Sequence, residues 1–493
     1  MGLRTTRALS TSWPTSSPKG IVSVPSSNAT AGHPSLQGVK NLSFWLDNAS
    51  RPQPLPALDG DLETDLLVIG GGFTGLWTAL LAKQADPQRD VVVLEGGSVG
   101  WAASGRNGGF VSASLTHGFR NGLERFPAEL DALTRLGQEN LEAIERTIAE
   151  FGIDCDWRRS GELDVAVEPW QVDGLKETAE LMSEAGMHVE FLDQEQVRAH
   201  VNSPTYLAGL LEPDAVAIVD PARLVWGLRD ACLSLGVRIF EQTPATALKS
   251  TSTGMQATTA GGVVSASRVA LAANVFPSLL RRLSHYLVPV YDYVLMTEPL
   301  TDEQLASIGW DHREGIGDAG NQFHYYRLSA DNRILWGGYD AVYYFGGKVN
   351  ARYDERAETF DALAHHFFDT FPQLEGVKFT HAWGGAIDTC SRFTAFWGTA
   401  FKGKVAYVAG YTGLGVGATR FGAQVMLDLL DGIDNERTRL KMVQTKPVPF
   451  PPEPVRFAGI ELTRRSIALA DRREGKRNLW LRTLDKAGLG FDS

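Results

Sequence analysis

The chain has 493 residues, 43% of them hydrophobic, and a formal net charge of -11, so it can bury more than one core and has no basic surplus to attract nucleic acid. Cys155, Cys232 and Cys390 form neither a C-x-x-C pair nor an even framework. That argues against structural disulfides and a zinc site, and for a cytoplasmic setting, and no apolar run approaches the ~20 residues of a membrane span.

Residues 1–40 are rich in Ser, Thr, Pro and Gly, and the first acidic residue is Asp47. Arg4 and Arg7 among hydroxyls faintly resemble a transit peptide, and Met1-Gly2 with Thr6 fits a permissive myristoylation pattern. A disordered tail is the plainer expectation. Next, the apolar run Leu66-Leu67-Val68-Ile69 enters Gly70-Gly71-Gly72-Phe73-Thr74-Gly75 and then a helical stretch from Leu76. A second apolar strand, 91–94, ends in Glu95. Strand, glycine turn, helix and acid together form a dinucleotide fingerprint. Gly70 permits the tight turn, Gly72 a close approach to a pyrophosphate, and Gly75 close helix–strand packing. Phe73 and Thr74 open a helix whose N-terminus attracts phosphate. Glu95 suits a ribose diol, favouring FAD or NAD over NADP.

Further along, 127–152 carries Leu and Ile at helical spacing, 157–167 reads as strand and 172–185 as helix. From 206 to 273 the pattern is strand, helix, strand, hairpin, strand, with Asp220-Pro221 opening the helix and Gly236 closing it. Residues 285–345 are rich in aromatic and β-branched types and read as a mainly antiparallel sheet. Helix is expected over 359–371 and strand over 405–409. The strand leads into Gly410-Tyr411-Thr412-Gly413-Leu414-Gly415-Val416 and a helix to about Leu430. After Leu440 comes a proline-rich stretch, then a basic amphipathic helix over 462–484. Such a helix suits a membrane surface or a partner, but docking on its own protein is the expectation.

Three signals then converge: the fingerprint with Glu95, the stretch Ala102-Ala103-Ser104-Gly105-Arg106-Asn107-Gly108-Gly109, and the late turn 410–416. In that order they resemble the flavin-dependent D-amino-acid oxidase superfamily, which includes glycine and sarcosine oxidases. The wording of 103–109 and Trp383-Gly384-Gly385 is most similar to the γ-glutamylputrescine oxidase branch. The resemblance spans about 40–435. It implies an α/β protein with an α+β second domain. A discontinuous Rossmann-like FAD-binding domain (41–115, 205–280 and 375–440) would interleave with a substrate domain (116–204 and 281–374) built on a mainly antiparallel sheet. Residues 1–40 would be a tail, and 441–493 the proline-rich segment and basic helix.

The resemblance also implies non-covalent FAD, held at Gly70, Gly72, Phe73, Thr74, Gly75 and Glu95 and by the backbone of Ala245 at the adenosine end. Ser104, Gly105, Arg106, Asn107, Gly108 and Gly109 form a glycine-rich loop on which backbone can lie against the flavin. Thr412, Gly413, Leu414, Gly415 and Val416 start a helix whose dipole would favour the reduced flavin. The implied reaction is oxidation of an amine CH–NH unit to an imine, hydrolysis to a carbonyl, and reoxidation of the flavin by oxygen to give hydrogen peroxide. An aromatic pocket would hold the amine neutral, with Tyr325, Tyr326, Trp336, Tyr339, Tyr343 and Tyr344 as candidates that suit a sheet core equally well.

Departures from the family narrow the substrate. Where glycine oxidase carries a carboxylate-binding arginine, the register here gives Ile387, with Arg392 nearby as a substitute. Gly384 stands where sarcosine oxidase has its flavin-linking cysteine, and strand 334–339 has no lysine for oxygen activation. Oxidase is expected over dehydrogenase, on a γ-glutamylputrescine-like, ω-primary or secondary amine. Amino-acid oxidation, a dehydrogenase with another acceptor, and a non-catalytic flavin-binding subunit remain open. The remaining substrate candidates are Trp383 and Arg327, the latter alternatively a core ion-pair partner; His324 suits substrate contact or surface. Catalytic residues are unassigned, and no metal is expected.

Overall fold

The computed structural model describes residues 32–489. Three sheets organise it. The first has eight strands, and its spine is parallel: Leu62–Ile69 lies between Val91–Leu94 and Val263–Leu271, with Arg238–Phe240 and Val405–Ala409 flanking. Val91–Leu94 is buried at every position, the signature of a parallel strand covered on both faces. Helix Phe73–Ala85, buried over most of its length, covers this sheet with Ala418–Asp431 and Pro221–Ser234. Asp220 accepts the backbone N–H groups of Ala222 and Arg223, and Pro221 fixes the first turn of the last of these helices.

The second sheet has nine strands and is antiparallel except where Gly315–Asp318 runs parallel to Glu162–Ala166. Its central pairing joins Val288–Thr297 to Phe379–Thr389. A three-stranded sheet of Phe110–Ser112, Val216–Ile218 and Arg158–Arg159 sits with them. The α/β class expected above is therefore present, with parallel and antiparallel sheets in one interleaved chain.

Several boundaries lie elsewhere. Ala208–Glu212 and Phe379–Thr389 pair into the nine-stranded sheet, so 205–280 and 375–440 are each shared between sheets. The strand expected over 157–167 breaks at Gly161, whose φ of 75° bends the chain from one sheet to another. Of the expected tail, 1–31 lies outside the described residues; 32–40 is ordered, with a short helical turn at Pro34–Leu36 and Lys40 bridged to His381. The basic helix is two helices, Val455–Asp471 and Leu479–Lys486, parted where Glu474 and Gly475 take positive φ. It docks on its own protein: Ser466, Ala470 and Leu481 are buried. Among the described residues no helix is long and apolar enough to cross a membrane.

Candidate active site

A cavity of about 1180 Å³ runs between the two large sheets. That exceeds the ~300–1,000 Å³ of a typical small-molecule site and leaves room for a dinucleotide and a second molecule. The fingerprint turn reaches it through Gly72, Phe73 and Thr74; the second motif through Ser104, Arg106, Asn107 and Gly108; the late turn through Thr412 to Val416. Thr74 Oγ1 and the Tyr411 hydroxyl are 3.2 Å apart, so motifs 337 positions apart in sequence meet at one wall. The Trp383 indole N–H donates to the Arg106 carbonyl at 2.8 Å, tying the second motif to the nine-stranded sheet.

Glycine is required at different points for different reasons. A Cβ on Gly75 would lie 1.8 Å from the Gly70 carbonyl oxygen, so the turn closes only without one. In the second motif the neighbours are protein: a Cβ would meet Gly100 at Gly105, the Tyr325 ring at Gly108, and Val219 and Arg327 at Gly109. Those glycines admit packing beneath the loop, while Gly108 itself borders the cavity. At Gly413 a Cβ would meet nothing within 4 Å, and φ is 95°; this turn, bordering the cavity, is the open one.

The profile of the FAD dependent oxidoreductase (DAO) family matches residues 65–429. The chain belongs to that family. It is 32% identical to the gamma-glutamylputrescine oxidoreductase of Escherichia coli K12 over 408 residues, covering 80% of this chain and 90% of the relative. It is 29% identical to the probable oxidoreductase OrdL of Haemophilus influenzae, covering 80% and 89%. Its fold is similar to glycine oxidase from Geobacillus kaustophilus, with a TM-score of 0.64 at 19% identity over 78% of this chain and all of that one.

This DAO-family protein is thus an FAD-dependent oxidoreductase, a family in which the cofactor is typically bound non-covalently. The open turn at Gly413 and Gly415, and Gly72, Phe73 and Thr74 at a helix N-terminus facing the same cavity, fit a ligand anionic in its middle and flat at one end. Glu95 is buried at the strand end and does not border the cavity. Its carboxylate accepts N–H groups from Gly71 at 2.6 Å, Gly97 at 2.7 Å and the Trp101 indole at 2.9 Å. Burial raises its pKa against those bonds. Ala245 also lies off the cavity, in the loop whose Thr243 N–H donates to the Glu95 carbonyl. Asn107 uses its side chain within its own turn, donating to the Ala103 and Ser104 carbonyls and accepting from the Gly109 N–H.

The substrate candidates divide sharply. Tyr325, Tyr339 and Trp383 border the cavity. Tyr326 and Trp336 do not: they are 1% exposed, their rings tilted with centroids 4.4 Å apart in the far core of the nine-stranded sheet, with the Tyr326 hydroxyl 2.6 Å from that of Tyr206. Tyr343 and Tyr344 also lie off it. Arg327 is no ion-pair partner; buried, it donates to the Gly108 and Val219 carbonyls and lies over Trp45. Arg392 cannot replace the absent clamp, because it is spent on the carbonyls of Thr394, Ala395, Met442 and Thr445. Burial lowers both guanidinium pKa values to about 10. His324 is neither surface nor pocket: it bridges Asp318 at 2.6 Å and His366 at 3.0 Å. Ile387 borders the cavity as an uncharged side chain.

Acids that the sequence does not mark also line the cavity, Asp292 and Asp388 among them. Val288, Val290, Asp292 and Val294 alternate onto the cavity while Tyr291 and Tyr293 face the opposite core, so period-two alternation could have singled out Asp292. Its carboxylate accepts the Tyr325 hydroxyl at 2.5 Å, and burial pushes its pKa up to about 6. Asp388, 3% exposed, accepts the Gly410 N–H at 2.6 Å and holds the start of the late turn; burial pushes it up to about 6 as well. Nothing local in the sequence marks that contact, which joins two strands' ends.

Proposed function

We propose that this enzyme oxidises an amine carrying no dedicated α-carboxylate contact: an ω-primary or secondary amine of the γ-glutamylputrescine type. The carrying observation is the charge lining the cavity. Each arginine on it is already engaged: Arg106 with Asp354, Arg120 with Glu177, Arg464 with Asp340 and Glu461, and Arg456 beside Glu453. Among the described residues no lysine borders it, and burial lowers the pKa of His117 to about 4, keeping it neutral. Glu162, Asp164 and Glu212 line the same cavity; burial, then the neighbouring Asp318 carboxylate, pushes Asp164 up to about 7, and burial, then Asp164, pushes Glu212 to about 8. Largely protonated near neutral pH, these acids give up a proton as an ammonium group approaches, and they disfavour a second carboxylate. The name of the Escherichia coli relative supports the same class.

FAD, when bound, would accept the hydride from the amine carbon and pass two electrons to oxygen, yielding hydrogen peroxide. Gly72, Phe73, Thr74 and Ser104 would hold its pyrophosphate, and 412–416 its ring end. Burial, and then the neighbouring Asp292 carboxylate, keep Tyr325 protonated, and its hydrogen bond to Asp292 fixes the hydroxyl at the wall. Trp383, pinned by its indole, and Ile387 add apolar surface that disfavours the ammonium form. The imine product needs only water to yield its carbonyl. The three cysteines are free and buried, which suits work in the cytoplasm.

Oxygen uptake with γ-glutamylputrescine, putrescine, sarcosine, glycine and D-alanine tests the assignment. The expected kcat/KM order places the ω-amines first. A preference for glycine or D-alanine would replace it with amino-acid oxidation, and turnover only with an artificial acceptor would make the enzyme a dehydrogenase.

A further inference from the structure

The family match ends at residue 429, yet the cavity does not end with it. Ile460, Thr463, Ile467, Trp480 and Leu484, all from the two C-terminal helices, border the same continuous space as the late turn. The segment leading to them is tied down as it leaves the parallel sheet. Ser391 Oγ donates to the Val448 carbonyl, and the Phe450 N–H to the His285 carbonyl, both at 2.7 Å. Glu453 then accepts the Tyr343 hydroxyl at 2.5 Å and the Gly346 N–H at 3.2 Å, fixing the chain to the substrate sheet. At the end of the first helix, Asp471 accepts the Asn321 N–H at 3.1 Å, its side-chain amide at 2.6 Å and the Gln322 N–H at 3.0 Å. Gly475 packs on the Trp170 ring, where a Cβ would approach to 2.8 Å. The returning helix ends with the Gly488 carbonyl accepting at 2.7 Å from Arg125, the last residue of helix Gly118–Arg125. Trp480 is held against the first helix by its indole N–H, 3.0 Å from Thr463 Oγ1.

We propose that residues 448–489 form a strap across the cavity mouth, and that Ile467 and Trp480 on its inner side set the upper size of the amine that reaches the flavin. The inference rests on the assignment of the cavity as an amine site for its substrate class, but not for the strap itself. Each fastening is a side chain or backbone group on the body of the protein, so the strap is a built wall and not a loose tail. Its inner residues are half-buried and apolar, as a wall facing both a ligand and solvent should be.

The test uses the full-length holoenzyme and two variants. Ile467→Ala keeps the fastenings and widens the wall; Asp471→Ala removes three hydrogen bonds and leaves the wall residues in place. Quenching of flavin fluorescence by iodide is measured first, since it needs no substrate. Asp471→Ala is expected to raise the quenching constant severalfold, with the flavin absorption spectrum and protein-to-flavin ratio retained. The kcat/KM ratio of N-benzyl to N-methyl amines is then expected to rise about tenfold or more in Ile467→Ala, the scale set by a few methylenes in a pocket. Wild-type quenching in Asp471→Ala together with a wild-type ratio in Ile467→Ala overturns the strap. Raised quenching with no amine oxidised by any form upholds the strap and refutes the amine assignment instead.

Discussion

Removing the Asp388 carboxylate is expected to weaken FAD binding. Asp388 lies at the end of strand Phe379–Thr389, is 3% exposed, and takes the Gly410 N–H at 2.6 Å. In Asp388→Ala that N–H loses a charged acceptor inside the protein, where such a bond contributes about 1.5–3 kcal/mol and an orphaned group costs about 1–3 kcal/mol. The strain falls on residues 410–416, the turn proposed to cradle the flavin end. If the whole of it is expressed in the bound state, the FAD Kd rises about tenfold to a hundredfold, at about 1.4 kcal/mol per decade. Asp388→Asn keeps an acceptor oxygen and is expected to lose less. Apoenzyme titrated with FAD, followed by quenching of flavin fluorescence, gives the constants directly, and circular dichroism checks the fold. A folded Asp388→Ala protein with the wild-type Kd would refute the link between this carboxylate and the cofactor site.

Four further outcomes follow from the same geometry. Gly75→Ala, with its Cβ 1.8 Å from the Gly70 oxygen, is expected to give protein without FAD, seen as loss of the flavin absorption bands on purification. Tyr325→Phe leaves Asp292 without its 2.5 Å donor and is expected to lower kcat about tenfold or more, with the pKa of the acidic limb of the rate profile moving upward. Arg392→Ala strips a donor from four carbonyls and is expected to lower the thermal midpoint while leaving KM unchanged; a large KM rise with unchanged stability would restore it as a substrate contact. The carboxylates raised to about 6 (Asp292, Asp388), 7 (Asp164) and 8 (Glu212) hold more protons folded than unfolded between about pH 4 and pH 8. Their contribution to stability is full below the unfolded pKa and is lost as pH rises through the folded one. The thermal midpoint should therefore fall from pH 6 to pH 8.5, and Glu212→Gln should flatten that slope; a midpoint that climbs over this window contradicts the assignment.

What the sequence made legible was local. The turn at Gly70, Gly72 and Gly75 carries its reasons in consecutive residues, and the parallel strands on either side are continuous apolar runs. The late turn was legible for the same reason. What it hid was contact across the fold. Tyr325 and Tyr326 are adjacent and chemically alike, yet one faces the cavity and the other the far core, because neighbours on a strand point to opposite faces. Arg327 and Arg392 look like ligands in a string of letters, and only the carbonyls around them reveal that they staple loops. Asp388 matters through an N–H 22 residues away. The C-terminal basic stretch showed its amphipathic character but not its break at Glu474 and Gly475, nor the cavity beneath it.

We propose that this FAD-dependent enzyme takes an amine into its cavity through the cationic end. Anaerobic stopped-flow mixing of the yellow holoenzyme with γ-glutamylputrescine, putrescine, sarcosine and D-alanine, watching the flavin band bleach, tests it most directly. Rapid bleaching by an ω-amine or secondary amine is expected, with slow or absent bleaching by D-alanine. Bleaching by D-alanine alone, or by none of the four, would contradict it.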